Sequence, residues 1–202
     1  MGKLNFKEVD TNRLIFNPTL KGEKGNKGDV FYTNDDDSHK KLLFTTPKLR
    51  TKVTENHVTF VVDEEHKDFL NFIVDIDDSV ENGAVINKDT WFSPEMSEDD
   101  VRDKYKGSIK TSRDSGHVFQ TKMSGNIRVY DMDREPLDLS DIEPTDLCIG
   151  MLELDCVGIG KNTFKNEYTI HHLKVMKRKV IEPVEIAGEG FVDCGDFNIE
   201  EE

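Results

Sequence analysis

Apolar residues along most of this chain recur in short β-type runs, and the period changes to that of a helix in one long stretch. From 64 to 80, Phe69, Phe72, Ile73, Ile76 and Val80 fall at helical spacing with acidic residues on the other face. That is the pattern of one amphipathic helix laid against a core. On either side, runs rich in β-branched and aromatic residues read as strands at 11–20, 29–33, 41–46 and 57–62, then at 107–111, 117–123, 126–131, 147–157 and 166–177. The last two are the clearest, joined across Gly158-Ile159-Gly160-Lys161-Asn162, which is turn chemistry between two hairpin strands. Trp91, Phe92 and Pro94 read as an anchored loop. Ser97, followed by Glu98, Asp99 and Asp100, is an N-cap that opens a short helix towards Tyr105. The expectation is a mainly β (α+β) domain over 1–179 with a helical insertion near 64–104.

A chain of 202 residues is long enough to bury a core of ordinary size. Twelve Phe and regular Val/Ile/Leu runs argue against global disorder, although charged residues make up 34%. No apolar run approaches the roughly 20 residues that span a bilayer. The N-terminus shows no signal-peptide core, and a myristoylation pattern at Gly2 fails at Phe6. Cys148, Cys156 and Cys194 form no CxxC and cannot all pair. The first two sit in an apolar run as reduced core residues would. An intracellular location without membrane contact is expected.

Charge is strongly segregated. The formal net charge is −14, and residues 180–202 hold eight acidic residues with no Lys or Arg. That stretch reads as a mobile acidic tail. Residues 38–52 hold Lys40, Lys41, Lys48, Arg50 and Lys52 with no acid. Residues 101–128 hold Arg102, Lys104, Lys106, Lys110, Arg113, Lys122 and Arg128 against Asp103 and Asp114, and 161–179 hold six basic residues against Glu167. Three basic β segments converging on one face of a small barrel would follow a phosphate backbone. Interleaved rings, Tyr32, Phe44, Tyr105, Phe119 and Phe164, are the stacking candidates for single-strand binding. The other reading of the same residues is solvated charge and core aromatics, and sequence alone leaves both open.

No signature of catalysis emerges. Gly158-Ile159-Gly160-Lys161 has Asp155 where a phosphate loop needs its first Gly. Asp75/Asp77 and Asp131/Asp133 read as solvated carboxylates, on a helix face and in an acidic loop, with no second ligand set for a metal. His171 and His172 are adjacent in a strand and point to opposite faces. No cofactor is expected, and the pattern points to a binding protein rather than an enzyme.

Trp91-Phe92-Ser93-Pro94-Glu95-Met96, Tyr105-Lys106-Gly107-Ser108-Ile109-Lys110 and the closing hairpin from Leu152 to Val175 carry a resemblance. The stretch looks like the single-stranded DNA-binding group of large nucleocytoplasmic DNA viruses, itself similar to phage proteins with an OB-type barrel and an acidic, aromatic-containing C-terminus. Here those tail aromatics would be Phe191 and Phe197, and the tail runs on past them to Glu202. The resemblance implies an antiparallel OB-like barrel or sheet that binds single-stranded DNA in viral replication or recombination. The tail would mask the groove or recruit replication proteins, with homo-oligomers as a further partner state, in the host cytoplasm or nucleus or in the virion. A structural or minor capsid protein is the alternative. A metal-dependent nuclease is a third reading.

Overall fold

The structure, a computed structural model, describes residues 4–17, 20–22, 25–112 and 116–176. Arg113 and the acidic tail at 180–202 lie outside them. In chain order the described strands are β1 (Leu4–Asn5), β2 (Leu14–Phe16), β3 (Leu20–Gly22), β4 (Gly25–Thr33), β5 (His39–Lys40), β6 (Leu42–Thr45), β7 (Leu49–Val53) and β8 (His57–Val62). Then come α1 (Lys67–Ile86), α2 (Lys88–Trp91) and α3 (Glu98–Asp103), followed by β9 (Ile109–Ser112), β10 (Gly116–Tyr130), β11 (Leu147–Ile159) and β12 (Phe164–Val175).

Five of these strands close on themselves. β7 pairs with β8, β8 with β10, β10 with β12, β12 with β11, and β11 returns to β7. Every pairing in the ring is antiparallel except β10 with β12. In chain order the ring therefore runs first, second, third, fifth, fourth, with the third and fifth strands parallel, the arrangement of an OB barrel. The helical insertion lies between the second and third strands. The N-terminal strands extend the sheet, because the edge of β11 not used by β12 is shared among β7, β6 and β4.

The core follows from the alternation read in sequence. Phe60 and Phe119 stack inside the barrel, and Phe119 meets Tyr168 edge-on at 4.9 Å. The apolar stripe of α1 covers one end. Phe69 lies against Phe119 at 6.0 Å and Phe72 against Phe44 at 5.1 Å. Phe6, held in a short turn that Asn5 and Glu8 cap reciprocally, closes over Phe69 and Phe72. Trp91 is buried and donates its indole N–H to the Asn17 carbonyl. Ser97 caps α3 as its sequence suggests, in a reciprocal box with Asp100. Cys148 and Cys156 are buried free thiols, and burial pushes both up, to about 11 and about 12.

Several boundaries differ from the sequence reading. The first strand shrinks to Leu14–Phe16, because Asp10 turns the preceding residues into a short 3-10 helix by accepting from the Asn12 N–H. The segments at 117–123 and 126–131 are one strand, β10, with a register shift between Met123 and Arg128. Its first half pairs with β8 and its second with β12, so the break in pattern marks a change of partner. β7, which the sequence reading lacks, begins two residues after Pro47. α1 runs on to Ile86.

Close packing of α1 on β2 depends on Gly83, where a Cβ would lie 2.5 Å from the Phe16 ring. Ala is favoured over Gly inside a helix by about 1 kcal/mol. Gly83→Ala should nonetheless lower stability by about 1–3 kcal/mol through overpacking, read as a reduced urea midpoint. Gly125→Ala, where the added methyl meets nothing within 4 Å, is the matched control and should leave the midpoint unchanged or slightly raised.

Candidate nucleic-acid interface

Alternation along β7 turns Leu49 and Thr51 inward and leaves Arg50 and Lys52 on the outer surface. On β8, Val58, Phe60 and Val62 go in, and His57, Thr59 and Val61 face out. The register then assembles a surface. Arg50, Val61, Val118 and Lys110 lie in one row across β7, β8, β10 and β9. Lys52, Thr59 and Gln120 form the next row, and His57 sits beside Lys122. At the usual interstrand spacing, the row from Arg50 to Lys110 is about 14 Å wide.

No residue of β7, β8, β9 or β10 is an Asp or a Glu, in a chain that carries 41 of them. Among the described residues, acids meet this face from its borders. Asp63 meets Arg50 at 2.8 Å and Glu167 meets Lys122 at 2.8 Å. The Arg50 pair is about half exposed, and such pairs contribute little and yield readily to a competing anion. Lys52 and Lys110 make no ion pair among the described residues. A second group of lysines gathers at the β11–β12 turn, because Tyr105 bridges Phe164 in parallel, with the Lys106 N–H bonded to the Phe164 carbonyl at 2.9 Å and the Phe164 N–H to the Lys104 carbonyl at 3.0 Å. Lys104, Lys106, Lys161 and Lys165 therefore stand around one loop. Lys161 and Lys165 belong to the basic run at 161–179 but not to the phosphate residues named from sequence; their places on either side of a hairpin turn are the signal that singles them out.

The segment from Lys104 to Ser108 is fixed by a buried carboxylate. Asp77 Oδ1 accepts from the Tyr105 hydroxyl at 2.7 Å, the Ser108 hydroxyl at 2.5 Å and the Asn166 amide at 2.9 Å, and Oδ2 accepts from the Ser108 N–H at 2.7 Å. The expectation of a solvated Asp75/Asp77 pair is corrected here: Asp77 is 7% exposed and faces the barrel, while Asp75 is exposed. Helical spacing explains the difference, since Asp77 follows Ile76 and Ile73 onto the inward side. Burial raises the Asp77 carboxyl above its ordinary range, with the hydrogen bonds from Ser108, Tyr105 and Asn166 pulling the other way. Burial also raises the Tyr105 phenol, as does the charge of Asp77.

The stacking candidates are corrected too. Tyr32, Phe44, Phe119 and Phe164 are each at most 2% exposed and belong to the core. Tyr105 is half-buried, with its hydroxyl committed to Asp77 and its ring 5.1 Å from Phe164. A small barrel needs its rings inside, and basic neighbours along the chain do not turn them out. Among the phosphate candidates, Arg50, Lys52, Lys110 and Lys122 share the face just described, and Lys104 and Lys106 stand at the hairpin loop. Arg102 is tied to Glu81 at 2.7 Å and Asn82 at 2.9 Å. Lys41 is held by Asp29 and lies over Phe31, and Lys40 is exposed on β5. Lys48 and Arg128 line cavities elsewhere on the barrel.

Among the described residues, Asp155, Cys156 and Glu167 come close enough to hold a metal ion. Burial pushes the Cys156 thiol up to about 12, and the Glu167 carboxylate is already paired with Lys122 at 2.8 Å.

The family of unknown function DUF5871 matches residues 48–189, beginning at the first barrel strand. The chain belongs to this family. No curated protein matches it. Among solved structures it is similar to the single-stranded DNA-binding protein from bacteriophage Enc34, at 14% identity over 89% of this chain and 96% of that one, with a TM-score of 0.42. The same phage protein in complex with single-stranded DNA matches at 12% identity over 81% of this chain and 96% of that one, TM-score 0.42. The third is gp2.5, a single-stranded DNA-binding protein encoded by bacteriophage T7, at 12% identity over 77% of this chain and 100% of that one, TM-score 0.49.

Asp77→Asn turns an acceptor into an amide that faces the Ser108 N–H, so it should cost about 1–3 kcal/mol. The cost carries a pH signature. An acid whose pKa is raised on folding binds its proton more tightly in the native state, so this contribution is complete at acid pH and is lost as pH rises through the raised value. The urea-midpoint gap between wild type and Asp77→Asn should therefore be widest near about pH 4 and narrow towards neutrality. A gap that widens with pH would show that hydrogen bonding, not burial, dominates at this carboxyl.

Proposed function

We propose that the chain binds single-stranded nucleic acid without sequence preference, across the outer face of β7, β8, β10 and β9, and that this binding is non-catalytic. The observation that carries the reading is the exclusion of Asp and Glu from all four strands of that face in a chain with 41 acidic residues. The second and third strands of an OB barrel, with the loops after its first and fourth strands, form the surface on which this fold holds oligonucleotides. Here those loops are 54–56 and 160–163, the latter ringed by the hairpin lysines. With the predicted rings in the core, affinity on this face comes chiefly from phosphates, which are the same in every sequence. The acidic tail at 180–202 competes for the basic face or recruits basic partners. The setting that best suits such a protein is the replication or recombination of viral DNA inside a host cell.

Anisotropy of a labelled oligo-dT, titrated with the full chain at two salt concentrations, tests this. Binding should weaken log-linearly with salt, and Lys52→Glu/Lys110→Glu should reduce affinity by at least about tenfold at low salt. Removing residues 180–202 should tighten binding, because tethered negative charge at high local concentration opposes phosphate. Absence of binding even at low salt would overturn the reading in favour of a structural virion protein that uses the same face for protein contacts.

A further inference from the structure

Beyond the face just described, the surface of the second half of β10 carries a groove of different character. Arg128 and Tyr130 are in register with His172 and Lys174 of β12, which in turn lie beside Met151 and Ile149 of β11. The loop after β10 folds back, with Tyr130 bridging Pro136 and the Leu137 N–H bonded to the Val129 carbonyl at 3.1 Å. The result is a cavity of about 830 Å³ lined by Arg128, Tyr130, Arg134, Leu137, His172 and Lys174, among others. A second cavity of about 520 Å³ shares Tyr130, His172 and Lys174 and reaches Lys48 and Met151. Their volumes fall in the range of small-molecule sites. Among the described residues, no acid lines either one.

The loop that closes the first cavity makes this exclusion specific. It contains Asp131, Asp133 and Glu135, and Arg134 is the charged residue of that turn that lines the cavity. Arg134 holds a left-handed backbone, φ 73°, which costs energy for any residue other than glycine and marks functional sites more often than chance turns. Asp131 enforces it. Its carboxylate accepts from the N–H of Asp133 at 2.8 Å and of Glu135 at 2.9 Å, and its own N–H bonds back to the Glu135 carbonyl. Arg128, Arg134 and Lys174 make no ion pair among the described residues. The Tyr130 ring is half-buried, edge-on to His172 at 6.2 Å.

We propose that this groove is a nucleotide subsite, in which a base stacks on Tyr130 and the phosphates next to it meet Arg128, Arg134 and Lys174. One flat ring beside three cations that make no ion pair among the described residues, on partly apolar walls, matches the stacking-plus-phosphate chemistry of a nucleotide. A link in a bound strand and a free nucleotide share that chemistry. The strand source rests on the nucleic-acid function proposed above, and the free-nucleotide source does not.

The test uses the full chain with an oligo-dT carrying 5-iododeoxyuridine, crosslinked by light and mapped by mass spectrometry, together with a dTTP titration followed by amide NMR shifts. Tyr130→Leu and Arg128→Gln/Lys174→Gln are the groove variants. Arg134→Gly removes charge while relieving the left-handed backbone, so it remains informative if Tyr130→Leu folds poorly. Lys52→Glu/Lys110→Glu serves as the face variant. Expected are adducts on Tyr130 or His172, affinity about tenfold weaker in Tyr130→Leu, and a salt slope lower by about 1.4 in Arg128→Gln/Lys174→Gln. If oligo-dT fails to bind but dTTP saturably shifts residues 127–137 and 172–174, and Arg134→Gly abolishes the effect, the groove stands as a free-nucleotide site and the strand-binding reading falls. If oligo-dT binds and the face variant weakens it, yet groove variants bind normally, no adduct maps to the groove and dTTP shifts nothing there, the groove proposal is overturned and the face survives. If neither probe binds, both are overturned.

Discussion

The two edges of β11 determine where everything else goes. One edge is occupied along its length by β12, across a tight turn. The other is divided end to end, with Leu147 and Cys148 paired to β7, Met151 to Leu154 paired to β6, and Cys156 to Ile159 paired to β4. The first of these pairings closes the barrel; the other two carry the N-terminal strands. Satisfying the backbone groups of a thirteen-residue central strand thus fixes both the ring and its extension at once. Gly150 allows it locally. A Cβ there would lie 2.8 Å from the Phe60 ring, so the barrel interior is filled by a side chain from β8 where β11 has none.

Closure in this order also sorts the charge. The β11–β12 side keeps its acids paired or bonded: Glu153 with His171 at 3.1 Å and Glu167 with Lys122 at 2.8 Å. The opposite side, β7 to β9, has none to pair. Segregation along the sequence becomes segregation in space because consecutive strands are neighbours on that side of the ring. Acid-rich segments, 63–100 and 131–146, fall on the helical insertion and the loop after β10, outside the four strands of the face. An acid-rich chain thereby presents four strands whose only charged residues are basic.

Much of this was legible in the residues. The one helical stretch, the last hairpin, the Ser97 cap and the buried thiols follow from local spacing, and local spacing survives folding. What failed were the inferences that took neighbours in sequence for neighbours in space. Leu49-Arg50-Thr51-Lys52-Val53 alternates as a strand should, but Thr51 in the inward position lowers the contrast, and Pro47 looked like a stop. Tyr32, Phe44, Phe119 and Phe164 sit among lysines in the sequence, yet in a strand the neighbours of a ring in sequence face the other way. Asp77 shows the converse. A carboxylate next in sequence to Ile76 turns inward with it, and only the later arrival of Ser108 and Asn166 makes that tolerable, from 31 and 89 residues away.

β10 joins these themes, because one strand serves two surfaces. Up to Lys122 its outward side chains belong to the acid-free face shared with β8 and β9. From Arg128 onward they belong to the groove shared with β12. The shift in register between Met123 and Arg128 lies where the partner changes, with Gly125 and Asn126 exposed. Such an irregularity bends a strand and increases its twist, which is what a single strand needs in order to border two faces of a small barrel. Lys122 and Arg128 therefore carry one basic track around the bend on a continuous backbone. The relative geometry of face and groove is set by that bend, and by no flexible linker.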